Sequence, residues 1–247
     1  MQQIQRLIAI GGGGFTHKID PELEDFILAV SGCPRPRIGF IGTASDDDPI
    51  KISRFYERFG TLSEKVTHLA PGSDAQHTAR WAKALDIIYV GGGNTQRLIN
   101  HWRNTGLDQV LMNAARQGVL MAGVSAGASV WFESALTDSV GQALQPISGI
   151  GLMAGSCCPH YDSEPQRKPA LAAAIASGAL PEGVAIDDGV ALLIEGSGQA
   201  STFSARVGAG AYRITRSTQT GKAASASIQA HTALTAGTER APGRLSK

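Results

Sequence analysis

Cysteine is scarce. The chain holds only Cys33, Cys157 and Cys158. An odd count with one adjacent pair builds no disulfide framework and fits a reducing compartment. Long apolar runs are missing as well. No stretch approaches the roughly 18 apolar residues of a membrane span, and the run 6–10 (RLIAI) is too short for the core of a secretory signal. Neither sign of charge dominates: 22 Lys and Arg face 21 Asp and Glu, with no basic block, so nothing calls for nucleic acid or an anionic membrane. There is no H-E-x-x-H and no spaced Cys/His cluster, so no metal is expected. The glycine runs lack the nucleotide fingerprints. Gln96 stands where G-x-G-x-x-G needs its third glycine, and IGGGGFTHK (10–18) fits neither that pattern nor the phosphate-loop pattern. No cofactor is expected. Internal repeats and a Pro/Gly/Ser linker are also absent. The reading is a single cytoplasmic, soluble domain.

What is present is enough for a large core. Of the 247 residues, 43% are hydrophobic and 17% charged, which excludes disorder over the whole chain. Short apolar runs alternate with longer amphipathic ones. Strands are expected at 6–10, 37–44, 65–70, 86–93 and 118–123. Helices are expected at 21–30, with Asp20 as N-cap before Pro21, and at 49–59, 74–85 and 94–117, with a break near Gly106. This alternation specifies an α/β fold, a mostly parallel sheet with helices on both faces. Beyond residue 134 the pattern loosens. Short strands or loops fill 140–165, a helix covers 166–177, and strands follow at 183–187, 190–195 and 209–215. The domain is placed at 1–216. Residues 217–247 form a C-terminal extension whose end, TAGTERAPGRLSK, reads as a frayed tail.

One stretch carries a chemical pattern. In GVLMAGVSAGAS (118–129) a buried strand runs into Gly123-Val124-Ser125-Ala126-Gly127, which is G-x-S-x-G. A nucleophile on a tight strand-to-helix turn crowds its neighbours, and small residues relieve the crowding. The hydroxyl is lifted to the carboxyl edge of the sheet at a helix start, where free N–H groups favour developing negative charge. The N–H of Ala126 is one oxyanion donor on this reading. Gly91–Gly93, in a second strand–glycine–helix turn, provide the other or serve only as a close-packed turn with Asn94 as N-cap. Gly11–Gly14 fall on the same edge and are assigned no chemistry.

A serine needs a base. His68 lies in a strand-like stretch, and His77 and His101 lie on helices. His160, in the proline-fixed segment GSCCPHYDSE, is a suitable base. His17, beside a glycine loop, remains open, and His231 sits near the tail. The strand-end pair Asp187-Asp188 supplies a carboxylate to orient the imidazole, or forms only a polar turn.

These pieces in order, VGGGNT (90–95), GVSAGA (123–128), PHYD (159–162) and IDDG (186–189), resemble the peptidase E (aspartyl dipeptidase) and cyanophycinase family of serine peptidases over most of residues 6–215. The resemblance implies a class I glutamine amidotransferase-like fold with Ser125 as nucleophile, His160 as base and Asp188 as third member. The family usually has glutamate at that third position. It also implies an oxyanion hole from Ala126 with Gly92 and Gly93, a structural Asp138, and Arg167 as the residue that binds an aspartate side chain in Asp-X dipeptides. The loop around Arg167 is shorter than the peptidase E pattern and reads YDSEPQRK. The expected partners are a small peptide substrate and a second copy in a homodimer, with no nucleic acid and no membrane. Three rivals make other expectations. An α/β-hydrolase esterase would use His231 with Asp162, Asp187 or Asp188. A non-catalytic amidotransferase-like protein used for binding or regulation would show no covalent labelling of Ser125, and a cysteine amidase would use Cys157 or Cys158.

Overall fold

The computed structural model describes residues 6–141 and 143–231. The first half alternates strictly: β1 (Arg6–Ile10), α1 (Glu22–Ser31), β2 (Arg37–Ile41), α2 (Pro49–Phe59), β3 (Lys65–His68), α3 (Ala75–Lys83) and β4 (Ile87–Val90). Two helices, α4 (Thr95–Thr105) and α5 (Leu107–Arg116), then lead to β5 (Leu120–Val124) and the short α6 (Ala126–Ser129). The second half is richer in strands: β6 (Phe132–Thr137), β7 (Gln145–Ser148), β8 (Met153–Cys158), α7 (Arg167–Ser177), β9 (Gly183–Ile186), β10 (Val190–Glu195), β11 (Ala200–Ser204), β12 (Ala211–Arg216) and β13 (Ala223–Ser227).

The strands form two sheets instead of the single expected one. The larger has the order β11-β10-β1-β5-β4-β2-β3, and the smaller β13-β12-β9-β8-β6-β7. In the larger sheet β1, β5, β4, β2 and β3 run parallel, and β10 and β11 add antiparallel strands at one side. Its central strands are buried on both faces, so their sequences are continuous apolar runs. The two-residue side-chain period divides them between two cores. Ile8, Ile10, Ile87 and Tyr89 meet Phe26 of α1 and Phe55 and Phe59 of α2. Leu7, Ala9, Ile88 and Val90 face the other way, toward Trp102 of α4, Leu111 of α5, and Phe132, Cys157 and Ile186 of the smaller sheet. A third core packs Leu171 and Ile175 of α7 on Leu136, Cys158 and Ile214.

Local corrections follow from side-chain chemistry. Asp20 does not cap α1. Its carboxylate is held by Arg206 at 2.6–3.2 Å, and Pro21 occupies the cap position. The break expected near Gly106 is real. That residue has φ +72 and its amide closes α4 onto the Trp102 carbonyl. Residues 217–231, expected as an extension, are knit into both sheets. β13 pairs with β12, and the Gln229 carbonyl and His231 amide bond Thr202 of β11. The expected frayed end, 235–247, lies outside the described residues. No described helix is long and apolar enough to cross a membrane.

Parallel strands place their carboxyl ends on one edge of a sheet, where ligands of such folds gather. Gly11–Gly14 after β1, Gly91–Gly93 after β4 and Ser125 after β5 therefore share that edge.

Candidate active site

Ser125 sits at the sharp turn between β5 and α6 with φ 55 and ψ −115, a backbone conformation that costs a non-glycine residue about 1–3 kcal/mol. The surrounding structure imposes it. The Ser125 amide donates to the Ile10 carbonyl at 3.0 Å, and the Ser125 carbonyl accepts from Ala128 at 2.9 Å and Ser129 at 3.0 Å. The glycines on either side are required by close approach. A Cβ on Gly123 would overlap the Gly127 carbonyl, and one on Gly127 would overlap the Val90 carbonyl.

His160 follows β8 and Pro159 and also has a positive φ, 54. Its Nε2 lies 2.8 Å from Ser125 Oγ and its Nδ1 2.7 Å from Asp188 Oδ1. An ionised carboxylate can only accept, so Nδ1 carries the proton and Nε2 is free to accept from the serine hydroxyl. Asp188 is fixed through its amide, which donates to Asp162 Oδ1 at 2.8 Å. Burial by itself would raise the Asp188 carboxyl. Hydrogen bonds from His160 and Ser163 and the charges of His160 and Arg206 together hold it below the usual carboxylate range.

Of the two candidate carboxylates only Asp188 reaches His160. Asp187 points the opposite way, is buried, and accepts from the Gly210 amide at 2.9 Å and Tyr212 Oη at 3.1 Å. Burial pushes its carboxyl up. Its bonds pin β12 to β9. Gly12, which the sequence left without a role, runs alongside the His160–Asp188 pair. A Cβ there would overlap Asp188 Oδ1 and stand 2.8 Å from His160 Cε1.

The Gly91–Gly93 turn faces Ser125. A Cβ on Gly92 would lie 3.1 Å from the Ser125 Cβ. The turn is clamped by the Asn94 amide on Ala44 O at 2.8 Å, by Lys51 Nζ on Gly92 O at 3.1 Å, and by the Asn94 side chain capping α4. Among the described residues, nothing accepts from the amides of Gly92, Gly93 or Ala126. Three backbone donors, two on this turn and one at the start of α6, are thus uncommitted.

A small cavity of about 160 Å³ opens beside Ser125, lined in part by Gly93, Thr137, Asp138, Glu164 and Arg167. Arg167 is 5% exposed. Its Nε donates to Glu164 Oε2 at 2.7 Å and its Nη1 to the Leu136 carbonyl of β6 at 3.1 Å. Asp138, expected as structural, is exposed and lines this cavity. The other histidines are engaged elsewhere. His68 bonds Tyr56 Oη at 3.0 Å, His231 bonds Ser201 Oγ at 3.0 Å, His77 and His101 lie on α3 and α4, and His17 is exposed. The esterase arrangement with His231 is therefore not assembled. Cys157 and Cys158 are buried in β8, and burial pushes the Cys158 thiol to about 11, far from a reactive thiolate. Among the described residues no group of three His, Cys, Asp or Glu side chains is arranged to hold a metal.

Residues 7–202 match the profile of peptidase family S51. The chain belongs to peptidase family S51. Across 216 residues it is 43% identical to the uncharacterized peptidase YgaJ of Bacillus subtilis (strain 168), covering 85% of this chain and 92% of that one. It is 36% identical over 158 residues to peptidase E of Streptomyces coelicolor, covering 63% of this chain and 61% of that one. The fold is shared with the crystal structure of a peptidase from an acI-B1 Actinobacterium. The TM-score is 0.68 at 18% identity, over 93% of this chain and 96% of that one. This S51 chain is a peptidase of the peptidase E-like type.

Proposed function

We propose that Ser125, His160 and Asp188 act as a catalytic triad that hydrolyses short peptides through an acyl-enzyme. The observation that carries the reading is the unbroken relay from Ser125 Oγ to His160 Nε2 at 2.8 Å and from His160 Nδ1 to Asp188 Oδ1 at 2.7 Å. His160 takes the hydroxyl proton as Oγ attacks the peptide carbonyl. The free amides of Gly92, Gly93 and Ala126 receive the oxyanion of the tetrahedral intermediate. Collapse breaks the C–N bond, and the departing amine takes the proton from His160. Water, deprotonated by His160, then attacks the ester carbon, and the proton returns to Ser125 as the acid leaves. Asp188 holds the imidazole in the needed tautomer and stabilises its charged form. The cavity of about 160 Å³ suits one side chain of a short substrate, and Arg167 is its side-chain-binding residue.

The test is intact-mass labelling by a small fluorophosphonate together with dipeptide hydrolysis. Ser125→Ala is expected to take no label and to lose roughly six orders of magnitude in kcat. His160→Ala is expected to lose labelling as well, and His231→Ala to keep it. A folded wild type that takes no label would overturn the reading.

A further inference from the structure

The resemblance to aspartyl dipeptidases would have Arg167 receive a substrate carboxylate. The cavity is built against that. Of the two guanidinium edges that can take a carboxylate in bidentate fashion, the one carrying Nε already meets the protein's own carboxylate, Glu164, at 2.7 Å. One Nη1 proton is spent on the Leu136 carbonyl. Two carboxylates, Asp138 and Glu164, line the cavity against the one arginine. An entering carboxylate would be a third negative charge beside a single buried cation.

The remaining hydrogen-bonding groups are of two kinds. Among the described residues Arg167 Nη2 donates to no oxygen or nitrogen, the guanidinium also lying beside the weakly accepting Cys158 thiol, and Glu164 Oε1 accepts from none. A donor and an acceptor held together by the Glu164–Arg167 ion pair match a primary carboxamide, whose oxygen accepts and whose NH₂ donates. We propose that this cavity selects a substrate whose acyl-side residue is asparagine-like, a neutral carboxamide side chain, over its carboxylate counterpart. Glu164 is then the specificity-determining residue. The proposal rests on the triad reading, because the cavity is defined relative to Ser125.

The experiment compares kcat/KM for Asn-Leu and Asp-Leu on the full chain and on Glu164→Gln, with fluorophosphonate labelling in parallel. Wild type is expected to favour Asn-Leu by roughly tenfold or more. Glu164→Gln, which keeps an acceptor for Arg167 and removes the charge, is expected to move the ratio toward Asp-Leu by a similar factor. A wild-type preference for Asp-Leu overturns the proposal, and so does an unchanged ratio in folded Glu164→Gln. If Glu164→Gln does not fold, the wild-type ratio decides alone. Labelling of Ser125 without cleavage of Asn-Leu overturns the carboxamide proposal and leaves the serine hydrolase reading standing. No labelling overturns both.

Discussion

Gly12 has no side chain because Asp188 and His160 fill the space where one would stand. Gly12→Ala would press on Asp188 Oδ1 and tilt the imidazole, and misplacement on this scale costs about 100-fold in rate. The expected outcome is a kcat/KM lowered by about that factor, with a melting temperature close to wild type. Glu24 is the opposite case, a charge placed where water cannot reach. It is fully buried, accepts from the Phe15 amide at 3.1 Å, and stands 3.6 Å from Arg58 Nε. Burial raises its carboxyl from 4.5 to about 7, against the pull of the Phe15 amide and Arg58. A folded-state value above the unfolded one means that Glu24 favours folding fully below pH 4.5 and loses that contribution as pH rises through 7. Glu24→Gln cannot ionise. It is expected to flatten the fall of melting temperature between pH 5 and 8, and to be more stable than wild type above pH 7 by about 1–3 kcal/mol.

At the scale of elements, α6 is a single four-residue turn that must sit directly on the end of β4. Gly127→Ala puts a methyl into the Val90 carbonyl, so it is expected to cost about 2–4 kcal/mol, read as a lowered denaturation midpoint. The elements that position the serine were legible in the sequence because fully buried parallel strands are written as apolar runs closed by glycine. β6 was not. SVWFESALT continues from a helix start, and the chain leaves α6 after one turn to enter the smaller sheet. The edge strands β11 (ASTFS) and β13 (AASAS) are mostly small and polar, so no hydrophobic alternation marked them. At the site, the serine and histidine follow from local patterning. The choice of Asp188 over Asp187 depends on the phase in which β9 ends, and the burial of Arg167 depends on contacts with Glu164 and β6. Neither is a local property.

For the whole molecule, the division into two sheets makes the last described segment a tie between them. β13 extends the smaller sheet, and Gln229–His231 return to β11 of the larger one. His231 also packs edge-on against Phe26, 5.6 Å between centroids. Its loss is therefore a matter of stability. His231→Ala is expected to lower stability by about 1–2 kcal/mol while fluorophosphonate labelling remains, measured on the same preparation. The backbone at Ser125 bears on how such a protein responds to selection. Glycine would occupy φ 55 without strain, so Ser125→Gly gains about 1 kcal/mol at the position proposed as the nucleophile. A library screened for heat resistance alone would drift toward inert scaffolds. Improving this peptidase calls for a screen in which survival and turnover are scored together.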